Sequence, residues 1–543
     1  MRSIVLFALL CGACDTKSSS LGIDEIPLKI AQRCPGDPSC PDSGDGKLYV
    51  GASKRKTTPA LEPFTDTNGN GFWDPGEAFT DENGNGTYDA YWLAGRDNAL
   101  LATAVHDDLW ARGWVVRQNQ TTIAFVSVDL IGYFVDDVKA TRVLLDPSWG
   151  IDLLVVSATH DHHAPDPIGQ WGPDDSTRGV NDNYMAFLHQ QIAGVVGECV
   201  AALKPAKMTA GSILTADGKD LTKYIGDGRD PTVIDPRMHV LQFDGADDGK
   251  PIVTVVNWAS HPDSLGSQHR MVTSDYVNYM REEAELGTGD DVVFVNAAVG
   301  GQIGPSNVVV TDANGMTHTD GEHAYSFVEP WGRGVGDFVA RALDPTQGDV
   351  ITDAAPKISF RTTAFKIHVD NTRFQAAEQI GVFSRPFQDF DKHKPLIGNN
   401  APQTDTEMSY IQLGDQVSLI TMPGEIHPEL WIGGYDSSDT YNYPFIDSTK
   451  PNPINLAVAP KAPYLRDIMD GNPNHRMVFG LSSDFLGYIV ADCNFVLDPS
   501  LPYIDDAPGD HYEETNSVGA RAQPEIVGTA RQLVLDGRPN VAR

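Results

Sequence analysis

Nearly continuous apolar runs alternate with helical patterns from about residue 115 onwards. The runs TTIAFVSVDLIGYF and IDLLVVSAT are typical of buried strands, and VDDVKATRVLL between them predicts a short helix. Residues 183–203 carry apolar side chains on one stripe at helical spacing, and Pro205 ends this pattern. The chain is therefore predicted to form a strand, a short helix, a second strand and a longer helix in that order.

Further apolar segments extend this arrangement along the rest of the chain. Residues 275–286 predict another helix. Strands are predicted at KLYVGASKRK, MHVLQFD, PIVTVVNWAS, DVVFVNAAV, ISFRTTAFKIHV, MSYIQLG and QVSLITMP. Strands that alternate with helices predict the α/β class, with a mixed sheet flanked by helices. Because residues 47–543 show no convincing break, we expect one large domain.

The N-terminus has the pattern of an export signal. Arg2 precedes an apolar stretch that is too short to span a bilayer as a mature helix. Gly12-Ala13-Cys14 resembles a bacterial lipobox, in which the cysteine is lipidated after cleavage. We predict a signal peptide over residues 1–13 and a lipid anchor at Cys14, with an ordinary signal peptide cut nearby as the alternative. The protein is therefore expected to be exported, as a lipoprotein at the cell envelope or in secreted form.

Residues 14–46 are rich in Ser, Pro, Gly and Asp and show little periodicity, which predicts a tether. Ordered structure is expected to begin near residue 47. Within the tether, Cys34 and Cys40 bracket PGDPS, a spacing that suits a short disulfide loop in an oxidising compartment. No later segment reaches ~18 continuous apolar residues, so no membrane-spanning helix is predicted.

The charge of the chain narrows the set of expected partners. The 543 residues carry a formal charge of -34 at pH 7. Such an acidic chain repels nucleic acid and anionic membrane surfaces, so neither is expected as a charge-driven partner. Contact with a membrane is expected only through the N-terminal lipid anchor.

Residues 66–92, DTNGNGFWDPGEAFTDENGNGTYDAYW, contain two loops with calcium-type spacing. Carboxylate or amide side chains occupy positions 1, 3, 5, 9 and 12 of the first loop, and positions 1, 3, 5 and 9 of the second. The second loop has Trp92 at position 12 and so lacks the bidentate Glu. Because no helices flank the loops, we predict structural calcium, with an Asn-Gly turn cluster as the alternative. The predicted calcium ligands are Asp66, Asn68, Asn70, Asp74, Glu77, Asp81, Asn83, Asn85 and Asp89.

Several predicted strands end in polar residues that could bind a metal. IDLLVVSAT leads into His160 and His162, and PIVTVVNWAS leads into His261. DVVFVNAAV leads into Gly300-Gly301, and QVSLITMP leads into Glu425. Loops at strand ends are where α/β folds collect ligand-binding residues. One isolated His at such a place is more often structural, but the shared pattern favours one common site.

The residue types at these strand ends suit zinc. Two or three His with a carboxylate, and one position left for water, is the ligand set of catalytic zinc. His160 and His162 would share a face of an extended segment, so both could bind one metal, or one could bind while the other transfers protons. Motifs of the HExxH, GxSxG, Walker and GxGxxG types are absent, which argues against serine hydrolases of the α/β-hydrolase type, NTPases and dinucleotide enzymes.

Seven segments resemble, in the same order, motifs of the neutral ceramidase family. SATHDHHAP is similar to the family's T-H-T-H-S-G-P segment and NWASHPDSLG to its A-x-H-G-T-S segment. The other matching segments are VHDDLWARGWVV, TSDYVNYM, NAAVGGQIGP, TMPGEIHPEL and LSSDFLGYIV. The resemblance runs from about residue 48 to the C-terminus.

The resemblance implies a set of site residues. It implies zinc bound by His160, His261, Glu425 and Tyr488. It also places two side chains beside the reacting amide and two further residues along the same pocket. These four are His162 and Arg229, then Gly95 and His106. The alternatives are a helix-starting Glu425, a Tyr488 at the edge of the core and a salt-bridged Arg229.

The sequence also departs from the family pattern. No Ser holds the family's serine position, although Ser306 lies close by, which favours a metal-activated water over a serine nucleophile. His163-Ala164-Pro165 replaces Ser-Gly-Pro, and the insertion at residues 66–92 is unusual. The immunoglobulin-like C-terminal domain of full ceramidases is expected to be missing, which puts ceramide itself in question as the substrate.

The resemblance implies a zinc-dependent amidohydrolase that cleaves the amide bond of N-acyl lipids. N-acylsphingosine (ceramide) is the first candidate substrate. One alternative is a metal-dependent hydrolase of another amide or ester. A second alternative, from a different class, is a calcium-stabilised binding protein at the cell surface.

Overall fold

The computed structural model describes residues 28–301, 303–441 and 443–536. The predicted signal peptide over residues 1–13 and the predicted lipid anchor at Cys14 lie outside this part of the chain. Among the described residues, no helix is both long enough and apolar enough to cross a membrane.

A large mixed sheet carries most of the strands in the first two thirds of the chain. Its spatial order is β9-β8-β7-β6-β2-β3-β4-β5, and β10 pairs with β6. Pairing is antiparallel except for β4 with β5 and β8 with β9, which are parallel. These strands are β2 (Leu48–Lys56), β3 (Trp110–Gln118), β4 (Thr121–Val128), β5 (Leu153–Ala158), β6 (Lys204–Ile213), β7 (Met238–Gly245), β8 (Pro251–Trp258), β9 (Val292–Asn296) and β10 (Asp349–Asp353).

A second, smaller sheet collects strands from the later part of the chain and one from its start. Its order is β1-β11-β12-β13-β15, with β13 and β15 parallel and the other pairs antiparallel. A short parallel pair, β14 with β16, lies beyond the end of β13. The strands are β1 (Gln32–Cys34), β11 (Ile358–His368), β12 (Gln403–Leu413), β13 (Val417–Thr421), β14 (Glu425–Ile426), β15 (Arg476–Phe479) and β16 (Tyr488–Ile489).

Helices cover the outer faces of both sheets. Helices α2, α3 and α4 pack on the large sheet, and α9 packs on the small one. The helices are α1 (Val135–Val143), α2 (Asp182–Ala201), α3 (Tyr276–Thr288), α4 (Tyr325–Ala342), α5 (Thr372–Gln379), α6 (Pro428–Trp431), α7 (Leu465–Ile468), α8 (Tyr512–Thr515) and α9 (Ala522–Leu535).

The two sheets pack against each other, which gives four layers in the order helix, sheet, sheet, helix. In β4, Ile123 and Phe125 point into the core between the sheets, while Ala124 and Val126 point to the helices. The ring of Phe125 lies 6.3 Å from that of Phe479 in the small sheet. Both faces of β4 are therefore buried, which explains its continuous apolar sequence.

The large sheet curls until its edge strands β5 and β9 approach each other. The Asn296 amide, at the end of β9, donates to the carbonyls of Thr159 and Ser260 at 3.1 and 2.9 Å. Thr159 follows β5 and Ser260 follows β8. One buried amide at the end of β9 thus holds the ends of β5 and β8 beside it.

The α/β class and the mixed sheet agree with the sequence prediction, but three elements differ. The later strands form a second sheet rather than extending the first. Residues 28–46 were expected to be a tether. They instead contain β1, which pairs with β11, and a disulfide bond between Cys34 and Cys40. Ordered structure therefore begins before residue 47. The long helix α4 was not predicted.

We expect Asp129→Ala to lower the free energy of unfolding by about 3–5 kcal/mol, because it leaves Arg281 as a buried charge without its partner. Asp129 follows β4, and its carboxylate accepts two hydrogen bonds of 2.8 Å from the Arg281 guanidinium. Both side chains are almost fully buried. Urea unfolding of both proteins measures the difference.

The matched control is Glu329→Ala, which breaks the exposed helical pair between Glu329 and Arg333. This change should alter the unfolding free energy by less than about 0.5 kcal/mol. Equal effects of the two substitutions would show that the buried pair of Asp129 and Arg281 contributes no more to the free energy of unfolding than the exposed pair does.

Candidate metal centre

His160 leaves strand β5 in a left-handed turn that points its ring inward. Its φ is 71°, and its backbone N–H donates to the carbonyl of Leu130 at 2.9 Å. Its Nδ1 lies 2.7 Å from the carbonyl oxygen of Ile131. Because a carbonyl can only accept, Nδ1 carries a proton, and Nε2 is left to face a metal or a second proton.

His261 follows β8 and is held in the same way. Its backbone N–H and its Nδ1 both donate to the carbonyl of Ile303, at 3.0 and 2.6 Å. Its Nε2 is therefore also left to face a metal or a second proton. Tying Nδ1 to a carbonyl so that Nε2 faces a metal is the usual arrangement of ligating histidines.

Glu425 brings a carboxylate to the two free imidazole nitrogens. Its Oε2 lies 3.1 Å from His160 Nε2 and 3.3 Å from His261 Nε2. Glu425 lies in β14, where it pairs directly with Tyr488 of β16. This pairing places the Tyr488 side chain next to Glu425, close enough for the Glu425 charge to act on its phenol. The structure thus brings together the four residues that the resemblance implied as zinc ligands.

Burial and charge act in opposite directions on this cluster. Burial alone would raise the pKa of Glu425, but the charges and hydrogen bonds of His160 and His261 outweigh it and lower the pKa to about 2. Burial likewise opposes the charged form of His261, yet its hydrogen bond to Glu425 raises the His261 pKa. Burial and the Glu425 charge raise the pKa of Tyr488 well above its ordinary value. The carboxylate is therefore the anionic member of the cluster.

His162 stands beside the cluster with both ring nitrogens unpaired. Its ring centroid is 4.8 Å from that of His160 and 5.8 Å from that of His261. Within the described residues, neither Nδ1 nor Nε2 of His162 has a hydrogen-bond partner. Burial, followed by the neighbouring imidazoles, lowers the pKa of His162 well below its ordinary value. This imidazole is therefore neutral in the structure.

Gly95 forms the wall behind His162. Its φ is 89°, a conformation that favours glycine. A Cβ at this position would lie 2.4 Å from His162 Nδ1. The absence of a side chain at residue 95 therefore lets the His162 ring occupy its place.

The residues present fit a divalent metal. His160, His162 and His261 each offer a ring nitrogen, and these atoms all lie within 4.8 Å of one another. The Glu425 carboxylate contacts two of the three rings and is not bonded to His162. Imidazole nitrogen and carboxylate oxygen are ligands of zinc in open, catalytic sites. The unpaired buried nitrogens of His162 are a further sign that a polar partner belongs here.

The cluster lies between an apolar pocket and a polar cleft. The pocket, of about 690 Å³, is lined in part by His160, His162 and Glu425. The cleft, of about 1150 Å³, contacts His162 and His261. Gly95, His162, Tyr488 and Tyr512 line both cavities. The apolar wall includes Ile131, Phe134, Ile168, Trp171, Phe374, Phe383 and Phe485, and the polar wall includes Arg96, Asp263, Ser264, Ser306, Asp320 and His323.

Arg229 is not brought to either cavity. Its side chain is fully buried and donates to the Glu429 carboxylate at 2.7 Å. A Cβ on Gly301, which lines the polar cleft, would lie 2.1 Å from the Arg229 Nε, so Arg229 stands directly behind that wall. The resemblance implied that Arg229 would contact the reacting amide. In the structure Arg229 instead forms a buried salt bridge with Glu429, which was the alternative.

His106 also lies away from the two cavities. Its ring stacks on Tyr325 with centroids 3.7 Å apart, and its Nδ1 contacts the carboxylate of Asp107 at 2.9 Å. It was expected along the pocket because of the resemblance, but it is not among the described residues that line either cavity.

The two predicted calcium loops have the same internal geometry. In the first, Asp74 accepts from the amides of Asn68 and Asn70 at 2.6 and 2.8 Å. In the second, Asp89 accepts from the two corresponding Asn amides, both at 2.6 Å. The position-one carboxylates, Asp66 and Asp81, each accept backbone N–H groups from two glycines of their own loop. The side chains at positions 3, 5 and 9 thus converge on one point in each loop.

Sequence reasoning missed the aromatic wall of the apolar pocket. Phe134, Phe374 and Phe383 lie outside the segments that resemble ceramidase motifs, and no pattern distinguishes them from core residues. Tyr512, which reaches both cavities from α8, was missed for the same reason.

Similarity to known proteins is found at the level of structure. No family model matches the chain, and no curated protein matches it in sequence. The fold is similar to that of neutral ceramidase from Pseudomonas aeruginosa, with a TM-score of 0.58 over 91% of this chain and 75% of that chain. It is also similar to a ceramidase complexed with C2, with a TM-score of 0.56 over 90% and 75% of the two chains. Sequence identity is 12% in both comparisons.

At 12% identity the two similarities describe the fold. They confirm the resemblance of the seven sequence segments as a likeness of fold that extends over almost the whole described chain. The protein therefore has the α/β fold of the neutral ceramidases.

Proposed function

We propose that the protein is a zinc-dependent amidohydrolase that cleaves the amide bond of N-acyl lipids, with N-acylsphingosine as the first candidate substrate. The observation that carries this proposal is the convergence of His160 Nε2 and His261 Nε2 on Glu425 Oε2, where an apolar pocket meets a polar cleft. The ceramidase fold supports the same class of reaction.

Zinc is the metal that best suits the ligand types. His160, His261 and Glu425 would hold it, with Tyr488 as the fourth ligand. When bound, zinc lowers the pKa of a coordinated water and polarises an acyl carbonyl. The Nδ1 hydrogen bonds to Ile131 and Ile303 keep both imidazoles in the tautomer that can bind a metal.

His162 is assigned the proton transfer. A neutral imidazole with unpaired nitrogens can accept a proton and return it to the leaving amine, which departs readily only when protonated. Gly95, without a side chain, leaves room for this ring. His162 therefore assists the reaction without holding the metal.

The two cavities suggest how an amphiphilic amide would bind. We assign the acyl chain to the apolar pocket, because aromatic and aliphatic side chains form its wall. The polar cleft, which contains the carboxylates of Asp263 and Asp320, would receive the polar amine part of the substrate. The amide bond would then lie at His162, which both cavities share.

Two further assignments concern the rest of the chain. Calcium is proposed to bind the loops of residues 66–92 for structure, which their matching side-chain convergence supports. Export is proposed from the signal sequence, with lipidation at Cys14. The disulfide between Cys34 and Cys40 supports an oxidising compartment.

Removing a first ligand should remove the metal. His160→Ala and His261→Ala are each expected to lose bound zinc, because the remaining ligands cannot replace that bond. Elemental analysis of the purified variants measures zinc per chain, against about one in the unmodified protein. His269→Ala, outside the cluster, is the control and should keep its zinc. Full zinc content in both cluster variants would overturn the ligand assignment.

His162→Ala should separate chemistry from metal binding. It is expected to keep zinc but to lose roughly 10²–10⁴-fold in turnover of a short-chain N-acylsphingosine. An activated aryl ester should be affected less, since a phenolate needs no proton to leave. The measurement is zinc content together with turnover of both substrates.

Two results would contradict the proposal in different ways. Loss of zinc from His162→Ala would make His162 a ligand. Failure of the zinc-loaded unmodified protein to cleave any acyl amide would reject the amidohydrolase. Cleavage of an ester would then favour a metal-dependent hydrolase of another substrate. If no ester is cleaved either, the binding protein is favoured.

The rate constant kcat/KM should increase with the length of the acyl chain, because the apolar pocket buries it. Each buried CH2 contributes about 0.8 kcal/mol, so kcat/KM should rise about fourfold per added carbon until the pocket is filled. Phe383→Asp is expected to flatten this dependence, whereas Phe390→Asp, at an exposed phenylalanine, should leave it unchanged. Rates for a series of acyl lengths on one amine measure the slope, and an equal slope in all three proteins would reject the assignment.

A further inference from the structure

The second loop of the insertion lacks an acidic residue at position 12 because the chain uses that position differently. Trp92 stands there, and its carbonyl accepts from the backbone N–H of Asp166 at 2.7 Å. Trp92 also forms a bridge with Leu101. Its backbone is therefore committed to the segment that follows the histidines, and a calcium ion in this loop would need its bidentate carboxylate from elsewhere.

Glu62, nineteen residues before the start of the second loop (Asp81), has its carboxylate at the required place. Its Oε2 accepts from the backbone N–H of Asp89, position 9 of the second loop, at 2.8 Å. In the first loop the position-12 residue Glu77 accepts through Oε2 from the backbone N–H of Asp74, also position 9, at 3.0 Å. Glu62 therefore makes the same contact with position 9 of the second loop that Glu77 makes with position 9 of the first loop.

The other oxygen of Glu62 has no partner. Glu62 is 5% exposed, and within the described residues its Oε1 makes no hydrogen bond. The Oε1 of Glu77, by contrast, accepts from the N–H and the hydroxyl of Thr67, both at 2.7 Å. A buried carboxylate oxygen without a partner is costly, so a cation is the simplest partner for it.

The other side chains of the second loop supply suitable donors. Asn83 and Asn85 meet at the Asp89 carboxylate, and Asp81 stands at the start of the loop. Each Asn amide can rotate to turn its oxygen towards a cation at this point. Carboxylate and amide oxygens without His or Cys form the ligand set of calcium.

We propose that Glu62 is the missing bidentate ligand of a calcium ion in the second loop, so that the insertion holds two complete sites. This inference rests on the proposed calcium binding of the loops and adds a ligand from outside them. Asp89 also accepts from the Asn181 amide at 2.5 Å, and Asn181 caps helix α2 by accepting from Tyr184 N–H at 3.0 Å. The ion thereby links three separate parts of the chain.

Calcium titration of the full chain, followed by calorimetry, tests the proposal. The unmodified protein should bind two calcium ions, Glu62→Gln and Glu77→Gln one each, and the double variant none. The matched control is Glu82→Gln, which removes the same charge from an exposed position of the second loop and should leave two sites. Asp81→Asn, at position 1, should lose the same site as Glu62→Gln.

The outcomes separate the two ideas. Two unchanged sites in Glu62→Gln would overturn the role of Glu62 and leave calcium binding intact. One site in the unmodified protein, lost in Glu77→Gln and kept in Glu62→Gln, would overturn it as well. No calcium binding at all would reject both. Melting temperatures in excess chelator check folding: Glu62→Gln should match the unmodified protein there and gain less on calcium addition.

Discussion

The structure around the site depends on one interaction, the contact of the buried His160 and His261 imidazoles with the buried Glu425 carboxylate. Taking Glu425 out of water is costly, and its partners His160 and His261 must be held within hydrogen-bonding distance to offset that cost. The three residues lie far apart in sequence, so only the fold can assemble them. The backbone carbonyls of Ile131 and Ile303 then orient the rings.

The two sheets contribute different parts of this cluster. The histidines follow strands of the large sheet, and Glu425 follows a strand of the small one. Contacts between the sheets fix their relative position next to the site. The hydroxyls of Ser157 and Ser482 lie 2.6 Å apart, and the backbone N–H of Ser483 donates to the carbonyl of Val156 at 2.7 Å. The packing between sheets thus sets the geometry of the centre as well as the core.

The elements that sequence predicted well are those whose environment is uniform. Strands β4 and β5 are buried on both faces, so their apolar runs identify them without knowledge of the fold. Helix α4 escaped prediction because it contains Pro330 and several glycines. Gly332 and Gly336 are needed there: a Cβ on either would lie 2.5 Å from a backbone carbonyl of α3. Close helix packing overrode helix propensity.

The candidate site shows the same division. Polar residues at strand ends identified His160, His261 and Glu425, because the ends of these strands, from both sheets, meet at the site. Position in a motif could not show that Arg229 would be neutralised by Glu429 behind the cleft wall. Nor could spacing find Glu62, whose partnership with the second loop arises from a contact between separate segments.

The path of the chain from Trp92 to Gly95 joins the calcium insertion to the histidine turn. Leu93 bridges to Pro165, and the Ala94 N–H donates to the carbonyl of Ala164 at 3.0 Å. If the second loop holds its ion as proposed, the same short stretch makes the position of Gly95, which leaves room for the His162 ring, depend on that ion.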